Sequence, residues 1–230
     1  MAPPPLSAWR AAEARFAANR YDGDPTYSSA RNGLFVANNS AKTYVIFTAA
    51  HAVNHVRDGR SKRADRGTGG LALLLAERTG AAAYVMASRD YGDANYDQSH
   101  PLKVALGAAF GPNRAVIDLH GMSGHGGVDV VIGTGGDIRL GGSLAVRAER
   151  AFRVNGLSVQ IDDHFAAAGP HRIVQYAHRH DVPAIQIELS ARLRPPVWDT
   201  SLALAALSAL TELVDELASE MAVPVAAEPR

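Results

Sequence analysis

Four side chains far apart in the sequence, His51, Asp65, His120 and Glu188, form a set that can do hydrolytic chemistry. Two imidazoles and one carboxylate leave a zinc ion an open position for water, and a carboxylate kept off the metal can act as general base. His51, Asp65 and His120 are read here as metal ligands and Glu188 as the base. A zinc ion held this way lowers the pKa of its water toward about 7, and Glu188 is placed to accept the proton and hand it to a leaving amine. The chain has no cysteine, so nitrogen and oxygen are the only zinc donors and no disulfide framework is possible. Two alternatives stay open: His55, four residues after His51, can be a ligand if that segment is helical, and Asp65 can serve only to cap a helix starting near Thr68.

A hydrolase acting on an acylated amino acid also needs a cation to polarise the carbonyl and one to hold the carboxylate. Arg57, Lys62, Arg192 and Arg194 lie nearest in sequence to the proposed site residues. Asn95 and Asp97, in a polar loop over 89–100, are candidates to line the pocket. Asp118 precedes His120 by two positions on the same strand face, which suits a group that orients a ligand.

The elements that must position these residues can be read from hydrophobic patterning. Tyr44-Val45-Ile46-Phe47 is a buried strand whose carboxyl end delivers His51. Residues 115–119 form a strand ending on His120, and the strand over 184–189 carries Glu188 with Gln186 on the same face. The carboxyl ends of strands are where open α/β sheets place their ligands. Further strands are expected over 34–36, 83–87, 128–132 and 157–161. Helices are expected over 7–18, 68–77 with a stop at Gly80, 101–110, 143–152 and 172–180. Strands alternating with helices argue an α/β fold, a single three-layer domain with a mixed central sheet covered on both faces. The mixed character is expected from a hairpin at Asn38-Asn39-Ser40 between the strands over 34–36 and 44–48.

The domain is placed at 1–196 with its core at about 30–195. Pro195-Pro196 then breaks the chain before a helix over 197–220 capped by Thr200, and residues 221–230 are expected to be a disordered tail. The leucine stripe of that helix can dock on the domain or on a second copy, giving a homo-oligomer. The stretches Gly133-Thr134-Gly135-Gly136 and Gly67-Thr68-Gly69-Gly70 match neither a P-loop nor a dinucleotide fingerprint, and are read as places of close backbone approach. His164, His171, His178 and His180 are read as exposed histidines rather than a second metal site.

The segments Thr48-Ala49-Ala50-His51, Asp65, Ile117-Asp118-Leu119-His120-Gly121 and Gln186-Ile187-Glu188-Leu189-Ser190 together resemble the N-formylglutamate amidohydrolase family, in the wider zinc carboxypeptidase and aminoacylase-like group. The likeness covers about residues 30–195. It implies a phosphorylase/hydrolase-like fold of the zinc carboxypeptidase type and an enzyme that cleaves a small acyl group from an amino acid nitrogen using one zinc. By that resemblance His51 and His120 are ligands, Asp65 the carboxylate ligand and Glu188 the general acid/base. Ala50 departs from the family's usual proline, the loop after His51 lacks its Ser-Gly, and Asn54 stands where zinc carboxypeptidases place a glutamate.

The 23 basic and 23 acidic side chains of the 230-residue chain balance, which leaves no general electrostatic footprint for nucleic acid or an anionic membrane. No uninterrupted apolar run reaches the roughly 20 residues that span a bilayer. The expectation is a cytoplasmic zinc amidohydrolase whose partner is a small N-acyl amino acid or short amide. A non-catalytic binding protein on the same fold and an RNA-linked deacylase are the alternatives.

Overall fold

A computed structural model describes residues 6–23, 33–40, 43–124, 126–162, 164–195 and 199–221. In chain order its elements are α1 (Leu6–Ala17), β1 (Leu34–Ala37), β2 (Val45–Ala49), β3 (His55–Arg57), β4 (Arg60–Lys62), α2 (Thr68–Thr79), β5 (Ala82–Met86), α3 (Pro101–Ala109), β6 (Ala115–Met122), β7 (Val130–Gly133), α4 (Ser143–Val154), β8 (Val159–Ile161), α5 (Ile173–His178), β9 (Ala184–Ser190) and α6 (Thr200–Met221). Short apolar runs such as Val45-Ile46-Phe47 and Ala115-Val116-Ile117 become strands buried on both faces, as parallel strands covered by helices require. Seven strands form one sheet in the order β1-β5-β2-β6-β9-β7-β8, and β3 pairs with β4 in a separate hairpin.

The sheet is mixed, as expected, but not because of a hairpin between β1 and β2. β1 runs antiparallel to β5, with Leu34 opposite Met86, so β5 lies between the two strands. Asn38 takes φ 53° and its side-chain amide donates to the Ala76 carbonyl near the end of α2. The turn residues thus cap a helix rather than close a hairpin. The second source of mixing is β7, antiparallel to β9.

The core strands β5, β2, β6 and β9 are parallel. The chain passes from β2 through α2 to β5, then back across β2 through α3 to β6. Right-handed crossovers running in opposite directions place their helices on opposite faces and open a crevice at the switch between β2 and β6. In agreement, α2 packs with α1 and α6, whereas α3 packs with α5. α6 buries Ala203, Leu207, Leu210, Leu213 and Leu217 in the chain's own core, against α4 and α2. Of the two dockings offered by the sequence, the one on the chain's own domain is seen for these residues. Its cap is Asp199, one residue before Thr200, whose carboxylate accepts from Ser201 N at 2.9 Å. No helix among the described residues is long and apolar enough to cross a membrane, and the tail over 222–230 lies outside them.

One buried carboxylate fixes the start of α2. Glu13 of α1, 4% exposed, accepts from Gly67 N at 2.7 Å and from Gly70 N at 2.9 Å. Those amides have no partner within the helix, and their partial positive charge suits an anion. Trp9 adds an indole hydrogen bond to the Gly67 carbonyl at 2.9 Å. A Cβ on Gly70 would stand 2.7 Å from the Glu13 nitrogen, so only glycine lets α1 come this close. Replacing Glu13 with alanine leaves two buried N–H groups without acceptors. Denaturant unfolding of Glu13→Ala is expected to show a loss of about 1–3 kcal/mol.

Candidate metal centre

The crevice between β2 and β6 gathers the reactive side chains. His51 stands two residues past the end of β2, and Asp65 is brought beside it because its backbone N–H donates to the His51 carbonyl at 2.8 Å. Between them the chain makes the β3–β4 hairpin, turned by Asp58 at φ 50° and Gly59 at φ 70°. Asp-Gly with both residues at positive φ is the usual two-residue hairpin turn, a signal present in the sequence but read there only as a loop. β6 runs on to Met122, so His120 lies within the strand, opposite Glu188 of β9. Asp118 and Gln186 face each other two residues earlier on the same face.

The Nδ1 atoms of both histidines turn toward one oxygen: His120 Nδ1 is 3.0 Å and His51 Nδ1 3.3 Å from Asp65 Oδ2. Their Nε2 atoms turn away, each to its own buried carboxylate. His51 Nε2 meets Asp93 Oδ1 at 2.8 Å, and His120 Nε2 meets Asp118 Oδ2 at 2.9 Å. Donors held about 2.0–2.1 Å from a tetrahedral zinc stand roughly 3.3 Å apart; the two distances to Asp65 Oδ2 are close to that, and one ligand atom from each of the three residues lies within 4.8 Å of the others. Carboxylates behind metal-binding histidines fix the tautomer and raise the basicity of the ring. The residues present thus fit a metal, with the open side toward the cleft.

A second trio, His51, His55 and Asp93, also brings ligand atoms together. It fits a cation less well. Asp93 is fully buried and already accepts from His51, from Asn95 N at 2.9 Å and from Arg57, whose Nη2 lies 2.6 Å from Oδ2. His55 stacks flat on His51 with ring centroids 4.0 Å apart. Burial, helped by its neighbour His51, lowers its pKa to about 4, so this imidazole is neutral.

The ionisation states follow from the same contacts. Burial opposes charge on both His51 and His120, yet the hydrogen bonds to Asp65 and Asp93 hold His51 above its ordinary value, and Asp118 and Asp65 hold His120 well above it. Burial would raise Asp65, but its two histidines pull it far below the usual carboxylate range. Burial pushes Glu188 up to about 7, against the pull of His120. Glu188 accepts from Gln186 Nε2 at 3.0 Å.

These groups line a cleft of about 610 Å³ whose far wall is the segment from His164 to Gly169, followed by Arg172. Gly133 is what lets that wall close in, since any Cβ there would collide with the Phe165 carbonyl. The cations named from the sequence are distributed differently from expectation. Arg57 lines the cleft but is paired with Asp93. Lys62, at the end of β4, is exposed and is not among the residues that line it. Arg192 pairs with Asp129 at 2.6 Å. Arg194 is buried and donates to the carbonyls of Leu189, Met122 and Arg66, stapling the strand ends to the Asp65 loop. A Cβ on Gly121 would strike its guanidinium. Asn95 lies behind His120 rather than in the cleft. Asp97 is likewise tied inward, accepting from Asp93 N at 2.7 Å. Two residues gain roles the sequence did not assign: Asp93, behind His51, and Arg172, a cleft guanidinium to which no carboxylate pairs among the described residues.

Comparison with known proteins adds the fold. No protein-family profile and no curated protein matches the chain. Among solved structures, N-formylglutamate amidohydrolase from Ralstonia eutropha superposes on 83% of this chain and 98% of its own, with TM-score 0.59 and 15% identity. A gene product from Agrobacterium tumefaciens covers 83% of this chain and 96% of its own at TM-score 0.61 and 16% identity. A bacteriophage poly-gamma-glutamate hydrolase covers 81% and 87% at TM-score 0.53 and 16% identity. The chain shares their fold. The N-formylglutamate amidohydrolase likeness seen in the sequence segments is thus met at the level of the fold.

An imidazole must be unprotonated to bind a metal, and those of His51 and His120 are both held above their ordinary value, so protons compete with any cation taken up there. Zinc titrations between about pH 6 and pH 8 are expected to release protons and to tighten as pH rises, by up to about tenfold per unit for each proton displaced. Affinity that does not change with pH would contradict this ligand set.

Proposed function

We propose that the protein is a zinc-dependent amidohydrolase that removes a small acyl group, formyl-like in size, from the nitrogen of an amino acid or a related short amide. The observation that carries this reading is the convergence of His51 Nδ1, His120 Nδ1 and Asp65 Oδ2 at the mouth of a cleft, with Glu188 in register beside His120. The likeness in fold to an N-formylglutamate amidohydrolase and to a poly-gamma-glutamate hydrolase, as their names describe them, supports it.

Zinc, when bound, supplies Lewis acidity and a water of lowered pKa. The remaining work falls to the chain. Glu188 takes a proton from the attacking water and gives it to the leaving nitrogen, a task for which a buried carboxylate of raised pKa is suited. Gln186 holds one of its oxygens, leaving the other free to face the substrate. Arg57, steadied by Asp93, places a guanidinium edge in the cleft to draw electron density from the carbonyl. Arg172 on the far wall takes the free carboxylate of the amino acid, a role for which a guanidinium with two parallel donors is shaped.

In Glu188→Gln, kcat is expected to fall by about 10²–10⁴-fold while zinc content stays at the wild-type level. The base must be ionised to work, so activity is lost as pH falls. A bound cation pulls Glu188 below its metal-free value, which places the acid limb of kcat/KM below about pH 7 and removes it in Glu188→Gln. Arg172→Ala is expected to raise KM for N-acyl amino acids by about 10–100-fold, as for a lost charged hydrogen bond, and to leave amides without a carboxylate unaffected.

A further inference from the structure

Asn95 stands where the two halves of the site meet. It is 2% exposed, and its backbone N–H and side-chain amide are all engaged. Its backbone N–H donates to Asp93 Oδ1 at 2.9 Å. Its side-chain Nδ2 donates to Asp118 Oδ2 at 3.0 Å and lies 2.7 Å from His120 Nε2, and its Oδ1 accepts the backbone N–H of Ile173 at 2.7 Å. Asp93 and Asp118 are the carboxylates that hold His51 and His120 by their far nitrogens. Ile173 is the first residue of α5, directly after Arg172 in the cleft wall.

The orientation of the amide is settled by chemistry. Ile173 N–H can only donate, so the oxygen of Asn95 must face it and the NH₂ must face the carboxylate of Asp118. Asp118 Oδ2 then receives both this NH₂ and His120 Nε2–H, and the 2.7 Å approach of the two nitrogens is a contact, not a hydrogen bond. Only a side chain with both an acceptor and a donor, at this length and without charge, satisfies the two partners. An aliphatic residue leaves a helix-start N–H and a carboxylate oxygen buried without partners, and an aspartate sets a second carboxylate against Asp118.

We infer that Asn95 is a positioning residue that couples the grip on the metal to the placement of Arg172. The metal site and the start of α5, which follows Arg172, are thereby tied through one side chain. This rests on the reading of His51, Asp65 and His120 as the ligands.

The test uses the full chain and Zn²⁺ itself, titrated in competition with a chromogenic chelator, together with hydrogen exchange at the Ile173 amide. Asn95→Ala is expected to weaken zinc affinity about 10–100-fold, the usual effect of losing support behind a ligand, and to speed exchange at Ile173 more than elsewhere in α5. It is also expected to raise KM for an N-acyl amino acid. Arg172→Ala should raise that KM while leaving zinc affinity unchanged. If the alanine variant does not fold, Asn95→Ser, polar but too short to span both partners, carries the same expectations. Asn95 variants that bind zinc as the wild type does, or keep Ile173 protected, overturn the inference and leave the metal site standing. A wild-type protein that takes up no zinc overturns both this inference and the ligand assignment beneath it.

Discussion

Asp93 and Asp118 have no solvent-exposed surface, and a carboxylate taken out of water persists only if donors surround it. Each finds an imidazole as one of those donors, and the rest of the site follows from that. Holding His51 and His120 by Nε2 leaves Nδ1 of both pointing outward to Asp65 and the cleft. Thr48 completes the shell of Asp118 with a hydroxyl hydrogen bond at 2.6 Å, and Arg57 completes that of Asp93. The energy of satisfying two buried charges is thereby turned into the orientation of two rings.

Asp65 comes from a loop, and the fold compensates by tying that loop down from several sides. Glu13 fixes the start of α2, and Arg194 reaches the Arg66 carbonyl. Asn54 accepts from Ala64 N at 3.0 Å while its amide donates to Asp22 at 2.9 Å. The Asp65 side chain, 18% exposed, is the open edge of an otherwise closed constellation. Openness there is what a substrate requires, and rigidity behind it is what the chemistry requires.

Much of this could be read from the chain because it rests on local pattern. Val45-Ile46-Phe47, Ala115-Val116-Ile117 and Ile185-Gln186-Ile187 announce buried strands, and polar residues at their carboxyl ends announce a site. What depends on pairing across long distances could not be read. Nothing local tells β1 to join β5, and no spacing shows that Arg172 reaches the cleft or that Arg194 turns beneath it. The choice between His55 and Asp65 was likewise open in sequence. The structure brings both beside His51: His55 stacks on its ring, and Asp65 Oδ2 lies 3.3 Å from its Nδ1.

The proposed function requires a single cation at Nδ1 of His51 and His120 and at Asp65. Anomalous scattering from crystals of the zinc-loaded protein, collected at the zinc edge, tests it most directly. One peak is expected on the cleft side of the two imidazoles, within about 2.0–2.2 Å of both Nδ1 atoms and an oxygen of Asp65. A peak on the opposite side of the His51 ring, bound to His55 and Asp93, would contradict it.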